Sequence, residues 1–235
     1  VITAPPLSDA THAANARAFN NWLLNDWLAE AHYSGSNVAV FDFRSLYPSI
    51  IRTFNGDPLA YERARSRDVS KDDGFNAPIA APNGAVFSRE PGILPALIGE
   101  YFRERLAAID RGDESAAYAY KILMNSFYGV LGSPRCRYAR TELAGAITSF
   151  GKTCLHFARD YFTARGARVL YGDTDSVFVE IPDGDGVSCE TRAEGLNAEL
   201  SSFVSTVYRR ESFLHIRFEK MYRRFFIPRL RGDDR

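Results

Sequence analysis

Two carboxylates one residue apart, Asp173 and Asp175, interrupt an otherwise apolar stretch of the sequence. The flanking runs, 168–170 and 177–179, contain Val, Leu and Phe, which favour β-strands, whereas the Gly and Asp residues between them favour a sharp turn. The pattern predicts a β-hairpin with acidic side chains at its tip. Such a tip is either a cluster of functional carboxylates or a solvated turn, because Asp often accepts hydrogen bonds from its own backbone in turns.

A third carboxylate, Asp42, favours the functional interpretation. It stands where the apolar run Val38–Phe41, a predicted buried strand, comes to its end. A carboxylate in that position lowers stability unless it is solvated or paired. Three acids at the ends of predicted strands therefore suggest a common site rather than separate turns.

A cation breaks the apolar pattern of the first of two predicted helices. Between Leu94 and Arg111 the apolar residues recur at helical spacing, with Pro95 near the start and Gly112 as the stop. Arg105 falls in the middle of this stripe. It either extends from the edge of the core with its charge in water or presents that charge in a cleft. The stripe comprises Leu94, Leu97, Ile98, Tyr101, Phe102 and Ile109.

The second predicted helix runs from about Asp113 to Tyr128, where Gly129 is expected to end it. It is apolar on almost every side, but Lys121, Asn125 and Tyr128 share one stripe because they are four and three residues apart. Neighbouring loops could satisfy these polar groups, or the groups could line a binding site. The spacing alone does not decide between the two interpretations. The two helices are expected to form an antiparallel pair.

The composition indicates a soluble globular chain of 235 residues, 46% of them hydrophobic, which is long enough to bury a substantial core. Lys plus Arg and Asp plus Glu number 29 each, so the net charge gives no sign of a polyanionic partner. Three cysteines without metal-site spacing indicate reduced packing residues, and no zinc site is expected. No apolar run approaches the ~20 residues of a membrane span, so no membrane partner is expected.

Positive charge is concentrated in residues 217–231, which contain a single acid, Glu219. Residues 213–219 alternate as a strand, and a basic, aromatic strand over 221–230 is expected to pair with it. Any basic site must therefore be local. The basic residues are Arg217, Lys220, Arg223, Arg224, Arg229 and Arg231.

The other segments complete a mixed pattern of helices and strands. A short amphipathic helix is expected around Trp22–Leu28, a loop over 55–90, a long helix over 141–164 and another over 190–208. Short connections favour antiparallel pairing of the strands. We therefore predict an α+β fold in which an antiparallel sheet carries helices on one face.

Three segments resemble motifs A, B and C of family B DNA polymerases, in the same order and at similar intervals. They are residues 42–50 (DFRSLYPSI), 121–129 (KILMNSFYG) and 171–176 (YGDTDS). Three motifs in order are a specific signal, whereas an isolated Asp-Thr-Asp is not. Residues 87–90 and 227–232 are most similar to the bacterial DNA polymerase II branch.

The resemblance implies two divalent metal ions, Mg²⁺ with Mn²⁺ as a substitute. The carboxylates of Asp42 and Asp175 and the carbonyl oxygen of Phe43 would bind them, with Asp173 beside them and Glu219 as an accessory acid. The chemistry agrees with this assignment, because nucleotidyl transfer needs one ion at the primer 3′-hydroxyl and one at the triphosphate, ~3.5–4 Å apart. Carboxylate oxygens are ligands that magnesium prefers.

The resemblance also implies roles in nucleotide binding. Arg105 and Lys121 would hold the incoming triphosphate together with the main-chain amides of Ser45 and Leu46. Asn125 and Tyr128 would line the nucleotide pocket. The DNA-binding residues would be Lys220, Arg223, Arg224, Arg229 and Arg231.

Tyr47 would act as a steric gate, because its ring would fill the space that a ribose 2′-hydroxyl needs. The alternative is a core tyrosine that packs against Phe43 and Ile50. Pro48, the next residue, would support the ring in either case.

The resemblance implies a palm with an antiparallel sheet and a fingers hairpin of two helices. Residues 1–36 would be an N-terminal extension or a remnant of a preceding domain. The palm would comprise 37–90, with motif A and a connecting loop, and 133–235, with motif C and the start of a thumb junction. The fingers would comprise 91–132.

The expected function is the catalytic core of a DNA-templated DNA polymerase, as a fragment of a longer protein. The family's exonuclease domain, the Gly-Gly turn before motif A and the thumb motif are not seen, so proofreading is not expected. The expected partners are primer-template DNA, dNTP and, through regions outside the chain, a sliding clamp. The expected location is the cytoplasm, with the nucleoid, if the source is bacterial. The alternative function is a non-catalytic, nucleic-acid-binding remnant.

Overall fold

A computed structural model describes residues 31–66, 77–182 and 186–228. The helix expected around Trp22–Leu28 lies outside the described residues. No helix of the described part is long and apolar enough to span a membrane.

In chain order the elements are β1 (Ala31–Gly35), β2 (Val38–Phe43), α1 (Leu46–Phe54), α2 (Pro58–Arg65), β3 (Ile79–Ala80), β4 (Val86–Phe87), α3 (Ile93–Asp110), α4 (Glu114–Gly132), α5 (Thr141–Ala164), β5 (Arg168–Asp173), β6 (Ser176–Glu180), α6 (Cys189–Tyr208), β7 (Ile216–Tyr222) and β8 (Phe225–Pro228).

Four strands form the central sheet in the order β5-β6-β2-β7, and every neighbouring pair is antiparallel. The predicted hairpin is present as β5 and β6, with Thr174 in the left-handed conformation (φ 43°) at its tip. β2 lies inside the sheet and is paired on both sides. The predicted α+β fold with an antiparallel sheet is therefore confirmed.

The two faces of β2 have different surroundings. Because side chains alternate along a strand, Ala39, Phe41 and Phe43 share one face. That face packs on the helices, where the ring of Phe41 lies 4.5 Å from that of Phe162 on α5. The side chain of Asp42 consequently projects from the opposite face of the sheet, away from the helical core.

The long helix α5 begins and ends at the residues predicted for it, and Gly166 follows with a φ of 78°. Its buried face includes Phe150, whose ring stacks on that of Phe54 at 3.8 Å. Burial also raises the pKa of the Cys154 thiol to about 12, as expected for a packing residue. His156, predicted to be a surface residue, is exposed.

The predicted helix pair is present as α3 and α4, joined at Gly112 with a φ of 71°. The ring of Tyr101 on α3 lies 5.7 Å from that of Tyr120 and 6.2 Å from that of Phe127, both on α4. These contacts close the hairpin along its inner side.

Two expectations for this hairpin are wrong. The helix α4 does not end at Gly129 but continues to Gly132, because Gly129 does not adopt the left-handed conformation that ends a helix. The apolar faces are also less buried than predicted: Ile109 on α3 is 50% exposed, and the buried residues of α4 are Ala117, Met124 and Leu131.

The expected loop over 55–90 is wrong for the described residues 55–66 and 77–90, because they contain the helix α2 and the strand pair β3–β4. Asp57 starts α2: its Oδ1 accepts hydrogen bonds from the amides of Leu59 (2.8 Å) and Ala60 (3.1 Å), and Pro58 occupies the first helical position. This Asp-Pro signal is present in the sequence.

The base of the hairpin α3–α4 is fixed by two buried polar residues. The Oδ2 of Asp57 accepts a hydrogen bond from the amide of Leu94 at 2.8 Å, so one carboxylate caps both α2 and α3. The side-chain amide of Asn55 donates to the carbonyl oxygens of Ser88 (2.6 Å) and Glu90 (2.7 Å). Its Oδ1 accepts a hydrogen bond from the amide of Gly92 at 2.9 Å. Both side chains are at most 1% exposed.

The predicted pairing of the basic strand with β7 is wrong. β8 pairs with β1, and β7 pairs with β2. The chain bends at Arg223 and Arg224, which are exposed, and this bend carries β8 away from the central sheet.

Candidate active site

Strand pairing brings Asp42 and Asp175 together. In the antiparallel register Asp42 lies opposite Ser176, which directly follows Asp175. The amide of Phe43 donates a hydrogen bond to the carbonyl oxygen of Asp175 at 2.8 Å, and this bond fixes the hairpin tip against the end of β2. Two of the three predicted acids therefore meet where neighbouring strands of the central sheet end.

These two acids line a cleft of about 410 Å³ between the central sheet and the hairpin α3–α4. The cleft gathers residues from the segment that follows β2, from both helices of the hairpin, from the tip of β5–β6 and from β7. The predicted site residues that line it are Asp42, Phe43, Ser45, Leu46, Tyr47, Arg105, Lys121, Asn125, Asp175 and Glu219.

The start of α1 forms one wall of the cleft. Ser45 adopts the left-handed conformation (φ 48°), and its side chain makes no capping hydrogen bond. The first N–H groups of a helix have no partner within the helix, and they carry partial positive charge. The amides at this turn are therefore suited to an anion, such as a phosphate, in the cleft.

The hairpin contributes the cations. Lys121 and Asn125 project from α4, and Arg105 projects from α3 into the same cleft. The Nε of Arg105 is buried and has no hydrogen-bond partner among the residues that the structure describes. Of the two interpretations of Arg105, the structure therefore favours a charge presented in a cleft, with a donor that lacks an acceptor.

The carboxylates repel one another in their half-buried setting. Burial raises the pKa of Asp42, and the charges of Asp175 and Glu219 raise it further, whereas those of Arg217 and Lys121 lower it. Burial likewise raises the pKa of Asp175, with Asp173 and Glu219 adding to the effect. A cation between Asp42 and Asp175 would remove this repulsion.

The donor set suits a hard divalent cation. Asp42 and Asp175 supply carboxylate oxygens, and Phe43, which also lines the cleft, carries a main-chain carbonyl. Within the described ranges, no group of three or more His, Cys, Asp or Glu side chains is close enough to hold a metal ion. The protein thus offers two carboxylates, and a bound substrate would have to supply further oxygen ligands.

Several predicted residues lie outside the cleft. Asp173 is exposed, and its Oδ1 accepts a hydrogen bond from the hydroxyl of Thr174 at 3.1 Å. Tyr128 does not line the cleft, but its ring lies 4.5 Å from that of Tyr47, which does. Lys220 is exposed near the end of β7, and Arg229 and Arg231 lie outside the described residues.

Three lining residues were not predicted: Arg44, Thr174 and Arg217. Arg44 and Thr174 lie inside the segments that resemble motifs A and C, so their positions in the sequence indicated that they could lie near the site. Arg217 is the cross-strand partner of Asp42, a relation that depends on the register between β2 and β7. That register cannot be obtained from spacing along the sequence alone.

Glu219 stands at a β-bulge in β7, beside the cleft. The register of β2 with β7 passes from Val40–Lys220 to Phe41–Phe218, so that Glu219 is an extra residue on β7. Bulges of this kind redirect side chains and are frequent beside functional sites. Glu219 lines the cleft together with Arg217, which is two residues earlier on the same strand.

Comparison with known proteins identifies relatives with long matching segments. DNA polymerase II of Escherichia coli (strain K12) is 35% identical over 207 residues, which are 84% of this chain and 25% of that protein. The DNA polymerase of Thermococcus gorgonarius is 31% identical over 207 residues, again 25% of its length. This chain therefore spans about a quarter of the length of these relatives.

The fold has a counterpart among solved structures. The family B DNA polymerase of the hyperthermophilic archaeon Pyrobaculum calidifontis matches with a TM-score of 0.57 and 26% identity, over 85% of this chain and 25% of that one. The family model described as DNA polymerase family B matches residues 29–229. The resemblance predicted from the three motifs is thereby confirmed, and the chain belongs to DNA polymerase family B.

Proposed function

We propose that this chain is the palm and fingers part of a DNA-templated DNA polymerase, which transfers a nucleotide from dNTP to a primer 3′-hydroxyl. The observation that carries the proposal is the cleft in which Asp42 and Asp175 face Arg105 and Lys121. Nucleotidyl transfer needs both kinds of group, because a triphosphate must be held while charge develops on its oxygens.

The cations and amides of the cleft bind the triphosphate in this proposal. Lys121 and Arg105 give charge-assisted hydrogen bonds to phosphate oxygens, and the orphan Nε of Arg105 obtains an acceptor. The amides of Ser45 and Leu46 add donors at the start of α1. Asn125 lies one helical turn beyond Lys121 and meets the nucleotide from the same side of α4.

Asp42, Asp175 and the carbonyl oxygen of Phe43 would hold divalent metal, with Mg²⁺ favoured by oxygen ligands and Mn²⁺ as a substitute. When bound, two such ions lower the pKa of the primer 3′-hydroxyl and stabilise the leaving oxygen. Glu219 and Asp173 add negative charge near this centre, as their effect on the pKa of Asp175 indicates.

Tyr47 lies under the sugar of the incoming nucleotide in this proposal. Its ring contacts Tyr128, and a Cβ on Gly151 would be 3.6 Å from the ring, so the side chain has little room to move. A 2′-hydroxyl would overlap with a ring held in this way, and close-packed groups yield only at an energetic cost. The alternative interpretation, a core tyrosine that packs against Phe43 and Ile50, does not exclude this role.

Primer-template DNA is the proposed second substrate. Lys220, Arg223 and Arg224 are exposed at the end of β7 and in the following bend, where they can meet backbone phosphates. The neighbouring Arg229 and Arg231 continue this basic segment in the sequence.

The test is primer extension by the 235-residue chain with Mg²⁺, compared with a variant that carries both Asp42→Asn and Asp175→Asn. We expect extension only by the unsubstituted chain, and calorimetric binding of Mg²⁺-dNTP that weakens in the variant. A folded chain that binds primer-template but neither extends it nor binds Mg²⁺-dNTP would instead be a nucleic-acid-binding remnant. Circular dichroism of both proteins establishes that they are folded.

A further inference from the structure

Three arginines from separate segments reach one cleft. Arg44 follows β2, Arg105 lies on α3 and Arg217 lies on β7, and all three line the cleft. The amide of Arg44 donates a hydrogen bond to the carbonyl oxygen of His215 at 2.8 Å, which ties the turn after β2 to the segment that enters β7. Since Arg217 lies two residues further along, the backbone holds Arg44 and Arg217 as neighbours.

The charges of these three arginines are not paired with an acid among the described residues. In the part of the chain that the structure describes, none of the three takes part in a salt bridge. Burial lowers the pKa of the Arg105 guanidinium, and the charges of Arg44 and Arg217 lower it further. The three cations are therefore close enough to repel one another, and an anion between them would relieve that repulsion.

The cleft has two distinct ends. At Tyr47 and Thr174 it adjoins a second cavity, of about 390 Å³, between α5 and the tip of β5–β6. At Arg105 and Lys121 it adjoins a groove between the two helices of the hairpin. A nucleotide whose sugar lies on Tyr47 therefore extends its phosphates toward the end that carries Arg105.

We propose that Arg44 and Arg217, together with Arg105, bind the two terminal phosphates of the nucleotide and the diphosphate that the reaction releases. This inference rests on the proposed function and adds two residues to it. Planar guanidinium groups match phosphate oxygens with paired hydrogen bonds. Arg44 and Arg217 are both exposed, so their charges remain available to a ligand that enters from solvent.

The chemistry of the step explains why cations are useful at this end. The primer 3′-oxygen forms a bond to the α-phosphorus, and the 3′-hydroxyl proton passes to water. The bond from that phosphorus to the bridging oxygen breaks, and its electron pair leaves with the diphosphate. Negative charge thus grows on the departing group, and cations placed beside it stabilise the transition state.

The variants are Arg44→Gln, Arg217→Gln and the double substitution. Arg103→Gln is the matched control, because Arg103 is an exposed arginine on α3, two residues before Arg105, that does not line the cleft. Calorimetric titration of each protein with sodium diphosphate in MgCl₂ measures the ligand affinity directly. Titration with dAMP, which lacks the two terminal phosphates, serves as the ligand control.

We expect each single variant to bind diphosphate roughly tenfold more weakly, because a hydrogen bond to a charged group contributes about that factor. The double variant should lose more, whereas Arg103→Gln and all dAMP titrations should be unchanged. The proposal is overturned if the double variant keeps its melting temperature and binds diphosphate within twofold of the unsubstituted chain. It is also overturned if Arg217→Gln weakens only Mg²⁺ binding, since Arg217 would then position Asp42, its cross-strand partner.

The two proposals can fail separately. If the chain binds diphosphate through the arginines but neither extends a primer nor binds Mg²⁺-dNTP, the polymerase function is wrong and the anion site remains. If the chain extends primers and inhibition by diphosphate is the same in the double variant, the function remains and this inference is wrong.

Discussion

The central sheet and the hairpin α3–α4 both contribute side chains to the cleft, but they are built differently. In β2 the residues around Asp42 are fully enclosed, with Val38, Ala39, Val40, Phe41 and Phe43 at most 1% exposed. In α4 the residues around Lys121 are open to solvent, with Tyr118 64%, Ile122 48% and Leu123 46% exposed. Asp42 therefore stands on a packed strand, whereas Lys121 stands on a lightly packed helix.

This difference indicates that the acid on the strand is held rigidly, whereas the cations on the hairpin can move more readily. Asp42 is held by strands on both sides and by Phe41 on the helical core, so its position changes only if the core changes. Lys121 and Arg105 depend on the base of the hairpin, where Asp57 caps α3 and the guanidinium of Arg52 lies 5.3 Å from the ring of Phe102. Elements with few buried contacts are those that move most readily.

The largest effect is expected from the sheet. Asp42→Asn or Asp175→Asn should lower the rate of Mg²⁺-dependent primer extension about a thousandfold, because metal ligation supplies several kcal/mol of transition-state stabilisation. The melting temperature of the metal-free chain should not fall, because the substitution removes one of several repelling charges. Asp173→Asn, at an exposed residue outside the cleft, is the control and should lose less activity. Near-normal turnover in Asp42→Asn would refute the assignment of the metal site.

Substitution of the cations on the hairpin should give the second largest loss of activity. Lys121→Ala and Arg105→Ala should each raise the KM for dNTP and lower kcat, by about tenfold to a hundredfold in kcat/KM, because charge-assisted bonds to phosphate are lost. Steady-state kinetics with varied dNTP measures both constants, with Arg103→Ala as the control on the same helix. Unchanged dNTP kinetics in Arg105→Ala would return this residue to the role of an arginine that merely extends from the edge of the core.

The base of the hairpin offers a test of how the two regions are connected. Asp57→Ala should lower the free energy of unfolding by about 2 kcal/mol, since it removes the caps of two helices. Asp113→Ala is the matched control, because Asp113 caps only α4, at an exposed position, and should cost about 1 kcal/mol or less. Denaturant titration followed by circular dichroism gives both values. Equal losses would mean that Asp57 does not join the two regions.

Tyr47 lies where the two regions meet, through its contact with Tyr128 of α4. Tyr47→Ala should raise incorporation of a ribonucleotide relative to the matching deoxyribonucleotide by about tenfold or more, because it removes the overlap with the 2′-hydroxyl. The comparison is kcat/KM for a matched rNTP and dNTP pair in both proteins. An unchanged ratio accompanied by a lower melting temperature would make Tyr47 a packing residue.

Local patterns predicted much of this molecule correctly. The bounds of α5 follow from its apolar periodicity and Gly166, and the β5–β6 hairpin follows from β-forming runs around a Gly-Asp turn. Arg105 and Lys121, whose roles the helical spacing left open, both line the cleft. In each of these segments, local preference and tertiary packing favour the same structure.

The errors arise where distant segments decide the structure. The partner of β8 is β1, a strand far away in sequence, and no local pattern distinguishes that pairing from one with β7. The place of Arg217 beside Asp42 depends on the register between β7 and β2, which is a property of the assembled sheet. The helix α2 was missed for another reason, because the polar composition of 55–90 outweighed the Asp57-Pro58 signal.

The shared cap at Asp57 also has a kinetic consequence. Its two carboxylate oxygens accept from the amides of Ala60 and Leu94, so the starts of both helices are anchored on one side chain. In hydrogen exchange these two amides should therefore belong to one cooperative opening unit, although they lie in different helices. The fraying of α2 and the release of the hairpin from its base would then be a single event on the exchange timescale.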